Sequence, residues 1–451
     1  MFKKLADLSM LTKPKTNTQL GFYLNLEDQL DNQHPLYLLA KKVRWHVFEE
    51  SFSKHYSTTM GKPSKPIRLM VSLLILKQLR NLSDESLVEQ WSENCYYQFF
   101  SGEPVFRPQI PCVPTEIIEF RKRIGPEGAE LILKESIHMN GKDADDDTLS
   151  GDTTVQEKNI TYPTDDKLYK KIIFKCQSIA EKEQIELRQS YTRTVKRLSI
   201  TQRLRRNKGG DAKARKASKK IKTIAGRLVR ELERKLTATD QNKYGMNLEL
   251  YKKVLAQKRT DSNKVYSLHE PHVKCYTKGK EHKKFEFGSK VSILVTQKTG
   301  VIVGAINFND TLHDSKTLPE ALKQYERLTG KQPKDVFLDR GYRGPKKINE
   351  TSLHTPKPDK NISKQKRNKH KRRAAIEPVI GHLKSDYRMI RNYLKGALGD
   401  EINVMLCAAA MNFKRVMNLW KRRQIQFIEN LLIAVYNCIG KLICQKLNLT
   451  F

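Results

Sequence analysis

A short segment in the last third of the chain, residues 372–384 (R-R-A-A-I-E-P-V-I-G-H-L-K), combines one acid with cations at helical spacing. Its apolar residues recur at steps of three and four, which predicts a helix packed on a core. Arg373 precedes Glu377 by four residues and Lys384 follows it by seven, so a helix places all three on one face. A carboxylate between two cations suits an acid that holds a divalent metal over a nucleic-acid phosphate. The alternative is a salt-bridged surface helix, which Pro378 either kinks or begins.

Two aspartates elsewhere in the chain follow the pattern of acids that β-strands present. Asp152 lies in residues 148–155, which are rich in β-branched side chains and predict a strand. Asp339 ends the apolar segment 334–339 and is followed by the turn R-G-Y-R-G, which is how an α/β sheet presents an acid at its edge. The simpler alternative is a strand-end aspartate that caps the next turn. The acidic run at 143–147 matches no calcium loop, and we interpret it as solvated.

The charge of the chain favours a polyanionic partner. The 451 residues include 85 Lys and Arg against 49 Asp and Glu, a formal net charge of +36, which points to nucleic acid. A membrane surface is disfavoured because neither terminus forms a basic amphipathic helix with an aromatic-rich opposite face, and residues 427–447 are too polar to span a bilayer. With no C-x-x-C pair among seven cysteines and no signal-peptide core in residues 1–30, we expect a cytoplasmic protein with reduced thiols.

The N-terminal region predicts an all-α domain. Residues 67–79 are strongly apolar and of helical length, Ser83 suits the N-cap of the next helix, and a third helix after Thr115 is expected to end at Gly125. Short helices joined by tight turns are compatible with a helix-turn-helix DNA reader or with a bundle that serves packing or dimerisation. Both interpretations remain open from the residues alone.

Between the two predicted aspartate strands the composition changes to long basic helices. Helical periodicity runs through residues 191–204 and 213–236, and the segment 205–212 with its two glycines is the expected tip of a helical hairpin. We interpret this insertion as a clamp on DNA phosphates, which contributes affinity rather than sequence specificity. The alternative is a solvated charged face. The spacing of His269 and His272 is not that of a zinc helix, and we interpret both as structural.

The order of the remaining elements is that of a ribonuclease H-like fold. Strands at 285–296 and 301–308 form a predicted hairpin, a helix covers 317–328, and the Asp339 strand follows. In that topology the first and fourth strands are neighbours, so Asp152 and Asp339 would meet at one edge with the Glu377 helix packed over it. Three acids at one place are costly without cations, and two bound Mg²⁺ ions would offset the repulsion.

At these residues the chain resembles the DDE transposases of bacterial insertion sequences. The motifs that carry the resemblance are D-T-T-V-Q-E-K from Asp152, S-L-H-E-P from Ser267, K-G-K at 278–280, E-F-G-S-K from Glu286, D-R-G-Y-R-G from Asp339 and I-E-P-V-I-G-H-L-K from Ile376. In such transposases three acids hold two Mg²⁺ or Mn²⁺ ions, and the third acid lies in a Y-x2-R-x3-E-x6-K signature. Arg373, Glu377 and Lys384 match that spacing, while His370 stands at the tyrosine position. The resemblance implies that Arg373 and Lys384 grip phosphates beside the cut.

These interpretations together predict an enzyme that moves DNA. We expect an N-terminal helical domain at 1–145 that binds the terminal inverted repeats, a ribonuclease H-like α/β catalytic domain at 146–425 with the helical insertion at about 167–262, and a C-terminal helix at 426–451. Asp152, Asp339 and Glu377 are the expected catalytic and metal-binding residues. Arg340 and Arg343 are expected to join Arg373 and Lys384 on DNA phosphates.

The expected reaction is cleavage at the ends of the element and joining of the freed 3′-hydroxyl to double-stranded target DNA, carried out by two copies of the chain. The alternatives are a metal-dependent nuclease without strand transfer and an inactive DNA-binding descendant of a transposase.

Overall fold

The computed structural model describes residues 25–446, except residues 58, 259, 278–283 and 357–362. Within that range it leaves out the side chains of residue 431 and of residues 433–446. The predicted K-G-K motif at 278–280 therefore lies outside the described residues. So do residues 1–24 of the predicted N-terminal domain and the last residues of the predicted C-terminal helix.

The described elements before the sheet are helices, and their packing follows from their sequences. They are α1 (Leu26–Gln29), α2 (Pro35–Lys42), α3 (Trp45–Ser53), α4 (Ile67–Leu79), α5 (Asp84–Glu93), α6 (Cys95–Phe100) and α7 (Pro114–Met139). Helix α4 is buried along almost its whole length, which explains its uniformly apolar sequence. The Ser83 hydroxyl accepts a hydrogen bond from the N–H of Ser86 at 3.0 Å, so the predicted N-cap of α5 is confirmed.

The element α7 consists of two helices that meet at Gly125. The first helix begins at Pro114, one residue before the predicted cap at Thr115. Gly125 has φ +60° and non-helical backbone, so the predicted end of this helix at Gly125 is confirmed. Pro126 begins a second helix that continues to Met139. Proline suits a first helical turn because its missing N–H has no partner to lose there.

A mixed sheet follows the helices and carries the predicted aspartates. Its described strands are β1 (Thr148–Glu157), β2 (Lys274–Thr277), β3 (Phe285–Thr296), β4 (Ile302–Phe308), β5 (Asp335–Phe337), β6 (Lys347–Ile348) and β7 (Thr351–His354). The order is β2–β3–β1–β5–β7–β6, and β4 also pairs with β3. Strand β3 runs antiparallel to β1 and β4, whereas β5 runs parallel to β1 and β7. This mixed α/β architecture is consistent with the predicted ribonuclease H-like fold.

The helices after the sheet strands cover its faces. Helix α12 (Asp314–Thr329) connects β4 to β5, and α13 (Lys364–Arg373), α14 (Ile376–Ser385) and α15 (Gly396–Lys446) follow β7. Helix α15 is continuous through the position where a separate C-terminal helix is predicted to begin, and its residues 402–417 are largely buried in the core. In the part of the chain that the structure describes, no helix is long and apolar enough to cross a membrane.

The segment between β1 and β2 folds into four described helices with a hydrophobic core of their own. These helices are α8 (Asp165–Lys182), α9 (Thr192–Arg203), α10 (Gly210–Lys235) and α11 (Ala238–Ala256). The two ends of the segment meet on the sheet, where Tyr162 and Tyr266 both pack against the ring of Phe287. The basic helices are therefore held to strand β3 by aromatic contacts at their base.

A buried polar group fixes the end of β1. The Lys158 ammonium donates to Asp400 Oδ1 at 2.7 Å and lies 3.5 Å from Glu270 Oε2. His272 Nε2 lies 3.0 Å from the other oxygen of Asp400. Asn392 Nδ2 also donates to Asp400 Oδ1 at 2.6 Å. His272 therefore has a structural contact, which agrees with the structural role that its sequence context indicates. Because buried charges are costly unless they are paired, this group ties β1 firmly to the start of α15.

A second buried ion group joins the N-terminal helices. The Arg121 guanidinium donates to both oxygens of Asp84 at 2.9 and 2.6 Å, and Lys77 donates to Asp84 Oδ1 at 2.8 Å. Burial lowers the pKa of Lys77 to about 8, and the nearby Arg121 charge adds to that effect. Asp84 therefore neutralises two cations that water does not reach.

We predict that Asp84→Asn lowers the free energy of unfolding by about 3–5 kcal/mol, because it leaves two buried cations without their acid. Urea unfolding followed by circular dichroism measures this value. Glu85→Gln is the matched control, since Glu85 is the exposed next residue of the same helix, and its effect is expected to stay within about 0.5 kcal/mol. Equal unfolding midpoints for the two variants would contradict the prediction.

Candidate active site

The pairing of β1 with β5 brings the two predicted aspartates together. Thr148, Leu149 and Ser150 pair in parallel with the three residues of β5, and two further steps in this register set Asp152 opposite Asp339. Both acids line one small cavity of about 20 Å³, which is room for about one water molecule. The lining residues are Gly151, Asp152, Thr153, Ser292, Asp314, Thr317, Leu318, Leu338, Asp339 and Tyr342.

Asp339 is held by the turn that follows its strand. Its Oδ1 accepts a hydrogen bond from the N–H of Tyr342 at 3.1 Å. A Cβ at Gly341 would lie 3.2 Å from Asp339 Oδ2, so a side chain at this position would displace the carboxylate by a few tenths of an ångström. The turn-capping contact that the sequence offered as an alternative is therefore present. Asp339 makes this contact and also lines the cavity, so the hydrogen bond from Tyr342 holds the carboxylate at the cavity.

The electrostatic environment of Asp152 shows that negative charge accumulates at the cavity. Burial raises the pKa of the Asp152 carboxyl above its usual value, and the charges of Asp339 and Asp314 raise it further. The N–H of Thr153 donates to Asp152 Oδ1 at 2.7 Å and, with the Arg373 charge, acts in the opposite direction. Burial is the main cause of the raised pKa, and the two neighbouring carboxylates add to it, so a cation between these acids would relieve their mutual repulsion.

Arg373 lies between Asp152 and Glu377. Its Nη2 is 3.2 Å from Glu377 Oε1 and 3.7 Å from Asp152 Oδ2. The Arg373 side chain is 11% exposed, whereas that of Glu377 is 67% exposed and does not line the cavity. The helix expected to run through both residues is interrupted, since α13 ends at Arg373 and α14 begins at Ile376. Pro378 lies in the first turn of α14, and the four-residue contact between Arg373 and Glu377 persists across the break.

The oxygen donors at the cavity are of the type that Mg²⁺ prefers, because it binds carboxylates and water. Asp152 and Asp339 supply two such groups. Among the described residues, however, no three His, Cys, Asp or Glu side chains come close enough to hold one metal ion. The fit is therefore partial. Asp152 and Asp339 line the cavity together with Asp314, whereas the third predicted acid, Glu377, is joined to Asp152 through the Arg373 guanidinium.

The predicted phosphate contacts lie around this cavity in different environments. Arg340 and Arg343 are exposed on the loop after β5, next to Asp339, and Lys384 is half-buried on α14. His370 packs edge-on against the ring of Phe337 at 4.9 Å, and its buried Nδ1 has no hydrogen-bond partner among the described residues. Burial lowers the pKa of His370. His370 stands at the tyrosine position of the signature, and its ring packs helix α13 against strand β5.

Two residues of the site were not predicted from the sequence as parts of it. Asp314, the first residue of α12, lines the cavity, and its Oδ1 accepts hydrogen bonds from Thr153 Oγ1 and Lys290 Nζ, both at 2.8 Å. Lys290 also donates to the carbonyl of Leu312 at 2.6 Å. Burial acts to raise the pKa of Asp314, but the bonds from Lys290 and Thr153 outweigh it and keep that pKa below its usual value. The sequence feature that could have indicated Asp314 is an acid at the start of an amphipathic helix, a few residues after strand β4.

The acidic run before β1 has structural partners. Asp146 is buried and accepts hydrogen bonds from the N–H groups of Thr148 at 3.1 Å and Lys298 at 2.8 Å. Asp145 pairs with Lys331 and Asp147 with Lys334 at the surface. The interpretation of the run as merely solvated is therefore incomplete, because Asp146 connects β1 to the β3–β4 turn. None of the three lines the cavity.

Comparison with known proteins identifies the family. A model described as "Transposase domain (DUF772)" matches residues 24–123, and one described as "Transposase DDE domain" matches residues 252–413. A relative from Rhizobium meliloti, described as "Uncharacterized protein ORF8 in nfe locus", is 38% identical over 197 residues, which make up 43% of this chain and 95% of the relative. No solved structure matches significantly.

The sheet, the paired aspartates and the transposase matches define a protein of DNA transposition. The chain belongs to the DDE transposases of insertion sequences, as its motifs suggested. The match to the DDE domain includes Asp339 and Glu377 and begins at residue 252, so Asp152 and most of the helical insertion lie outside it.

We predict that the Lys290–Asp314 pair stabilises the site through direct coupling. Lys290→Met should lower the free energy of unfolding by about 1–3 kcal/mol, because Asp314 then loses a charged hydrogen-bond donor in a partly buried place. Asp314→Asn should cost less, and the double variant should cost less than the sum of the two. A double-mutant cycle in urea measures the coupling. Lys323→Met is the control, because its pair with Glu320 is exposed and is worth at most about 1 kcal/mol. Strict additivity in the cycle would contradict the coupling.

Proposed function

We propose that this protein cleaves DNA at the ends of its insertion sequence and joins the freed 3′ ends to target DNA, with Asp152, Asp339 and Glu377 as the catalytic acids. The observation that carries the proposal is the cavity that Asp152 and Asp339 line together, although the two residues come from distant parts of the chain. Two Mg²⁺ or Mn²⁺ ions bound to these acids would lower the pKa of a water nucleophile and stabilise the leaving 3′ oxygen.

Arg373 has a double role in this proposal. In the present conformation its guanidinium neutralises Asp152 and Glu377, so the acids are held near one another without metal. Cations held by the carboxylates would take over that neutralising role, and the Arg373 guanidinium would then be available to a phosphate oxygen beside the cut. Glu377 is largely exposed, so its side chain has room to reach toward Asp152. Arginine suits this exchange because its planar fork binds carboxylates and phosphates alike.

The exposed cations near Asp339 complete the proposed phosphate contacts. Arg340 and Arg343 follow Asp339 on the same loop, and Lys384 lies two turns after Glu377 on α14. Such groups would neutralise the charge that builds on phosphorus in the transition state. These cations lie on both sides of the acids, on the loop after β5 and on α14. This arrangement supports a DNA strand that passes over the cavity.

The other regions would bring DNA and a second copy to this site. We propose that the N-terminal helices, which include the matched segment 24–123, bind the terminal inverted repeats. Joining both ends of an element requires two active sites, so we propose a homodimer on DNA. Beyond the buried part of α15, the side chains of Ile425, Phe427 and Ile428 are exposed, which supports a second copy as their partner.

We predict that Asp152→Asn abolishes Mg²⁺-dependent nicking of DNA that carries the ends of the element, because Asn keeps the shape but removes the charge that a metal requires. The rate should fall at least about a hundredfold, while DNA binding measured with chelator stays close to that of the wild type. Denaturing gels of end-labelled DNA measure the nicks. The substrate is the DNA that flanks the coding region, where short inverted repeats bounded by a small direct duplication are expected.

Asp145→Asn is the matched control, because it removes an equal charge from a surface pair with Lys331, and its nicking rate should stay within about twofold of wild type. Continued nicking by Asp152→Asn would remove the catalytic assignment. Joining is tested separately with a pre-cleaved end and a plasmid target. Cutting without joining would indicate a nuclease, and indifference to both Mg²⁺ and chelator would indicate a DNA-binding protein without catalysis.

A further inference from the structure

Helix α10 of the insertion carries two different faces along its length. Its apolar face, formed by Ala214, Ala217, Ile221, Leu228 and Leu232 among others, is buried in the insertion's own core. On another face, exposed cations recur at steps of three, four or seven residues. We call this face the α10 basic stripe, and its members are Lys213, Lys216, Lys220, Arg227, Arg230 and Arg234.

Among the described residues, no cation of the α10 basic stripe forms an ion pair with an acid, although the Arg234 charge acts on nearby Glu231. Residues 192–235 contain seventeen Lys and Arg but only the acids Asp211, Glu231 and Glu233. These acids form ion pairs with Arg205, Arg215, Lys235 and Lys252, which are not members of the stripe. Like charges three and four residues apart destabilise a helix. A helix with this arrangement therefore gains from a polyanion that neutralises the stripe.

The dimensions of the stripe fit duplex DNA. At 1.5 Å per residue, Lys213 and Arg234 lie about 32 Å apart along the helix axis. One turn of B-DNA is about 34–36 Å long, and its two strands carry one negative charge for about every 1.7 Å of axis. A straight helix with a cation at nearly every turn can therefore meet phosphates throughout its length.

The buried state of the other face argues against a membrane surface as the partner. An interfacial helix must insert its apolar face among lipid chains, but the apolar face of α10 is already covered by α8, α9 and α11. The solvent-exposed surface of α10 therefore carries positive charge but no accessible apolar face. This arrangement matches binding through the sugar–phosphate backbone, which supplies affinity and little sequence information.

We propose that the α10 basic stripe is a duplex-DNA binding surface, separate from the catalytic cavity, that holds DNA by its phosphates without reading its sequence. The choice of DNA rather than another polyanion rests on the proposed function of the chain. The charge and the two faces of the helix do not depend on it.

The test compares two full-length variants with equal loss of charge. The stripe variant is K216A/K220A/R227A/R230A. The control variant, K175A/K182A/K253A/K258A, removes four exposed lysines from or beside the other long helices of the same insertion. Fluorescence anisotropy measures the Kd for a duplex of roughly 30 base pairs and arbitrary sequence, between about 50 and 200 mM salt. Chelator is present throughout, so that no cleavage occurs.

The stripe variant should bind at least about tenfold more weakly at low salt, and the slope of log Kd against log salt should fall by about 3–4, close to 0.9 for each lost phosphate contact. The control variant should stay within about twofold of wild type. The charge-conserving variant K216R/K220R/R227K/R230K should bind like wild type. Equal binding by the stripe and control variants would overturn the proposal, as would tighter binding of duplex RNA than of duplex DNA.

A measurement on the wild-type protein covers the case in which the stripe variant fails to fold. Bound DNA should protect Lys213, Lys216 and Lys220 from acetylation, read by mass spectrometry, and leave Lys175 and Lys182 reactive. Equal reactivity of all five lysines with and without DNA would contradict the proposal. The test is independent of catalysis, because Asp152→Asn can abolish nicking whether or not the stripe binds DNA, and the stripe can bind DNA whether or not Asp152 is catalytic.

Discussion

The site depends on repulsion among carboxylates that the fold places at one end of neighbouring strands. The parallel register of β1 and β5 sets Asp152 opposite Asp339, and α12 adds Asp314 to the same cavity. Burial raises the pKa of Asp152, and the charges of Asp339 and Asp314 add to that effect, so these acids would be costly to hold together without compensation. Here the compensation comes from Arg373 on one side and Lys290 on the other. The rest of the domain holds these partners in place.

The sequence predicts four strands of the sheet, β1, β3, β4 and β5, and the meeting of the two aspartates, because these follow from local patterns and element order. The short strands β2, β6 and β7 carry no such pattern and were not predicted. Strand β3 begins and ends where its apolar pattern does, at Phe285 and Thr296. The expectation that the first and fourth strands are neighbours needs only the order of elements, and β1 and β5 meet it. Such features are set by periodicity and connection rules, which a single sequence displays.

Other parts of the site depend on contacts that periodicity does not record. The helical pattern of α12 begins at Thr317, and it does not indicate that the helix starts three residues earlier, at Asp314. The N-cap is His313, whose ring accepts the N–H of Ser315, and histidine is not among the usual capping residues. The position of Glu377 depends on the Arg373 side chain, and that of His370 on Phe337, a strand residue remote in sequence. Such positions are determined by side-chain conformation and by tertiary contacts, which the periodicity of a single sequence does not reveal.

The excess of positive charge divides into two populations with different physical meanings. Near the cavity, cations such as Arg373 and Lys290 are engaged with acids, and their pairing keeps the site intact before any ligand binds. On the stripe of α10, the cations are exposed and form no ion pairs with acids among the described residues. A paired cation must exchange its acid for a phosphate, which makes its contribution conditional on metal. An unpaired cation binds phosphate at once and releases counterions as it does so. Capture of DNA would therefore precede assembly of the site, and the affinity for DNA would depend on salt far more than on magnesium.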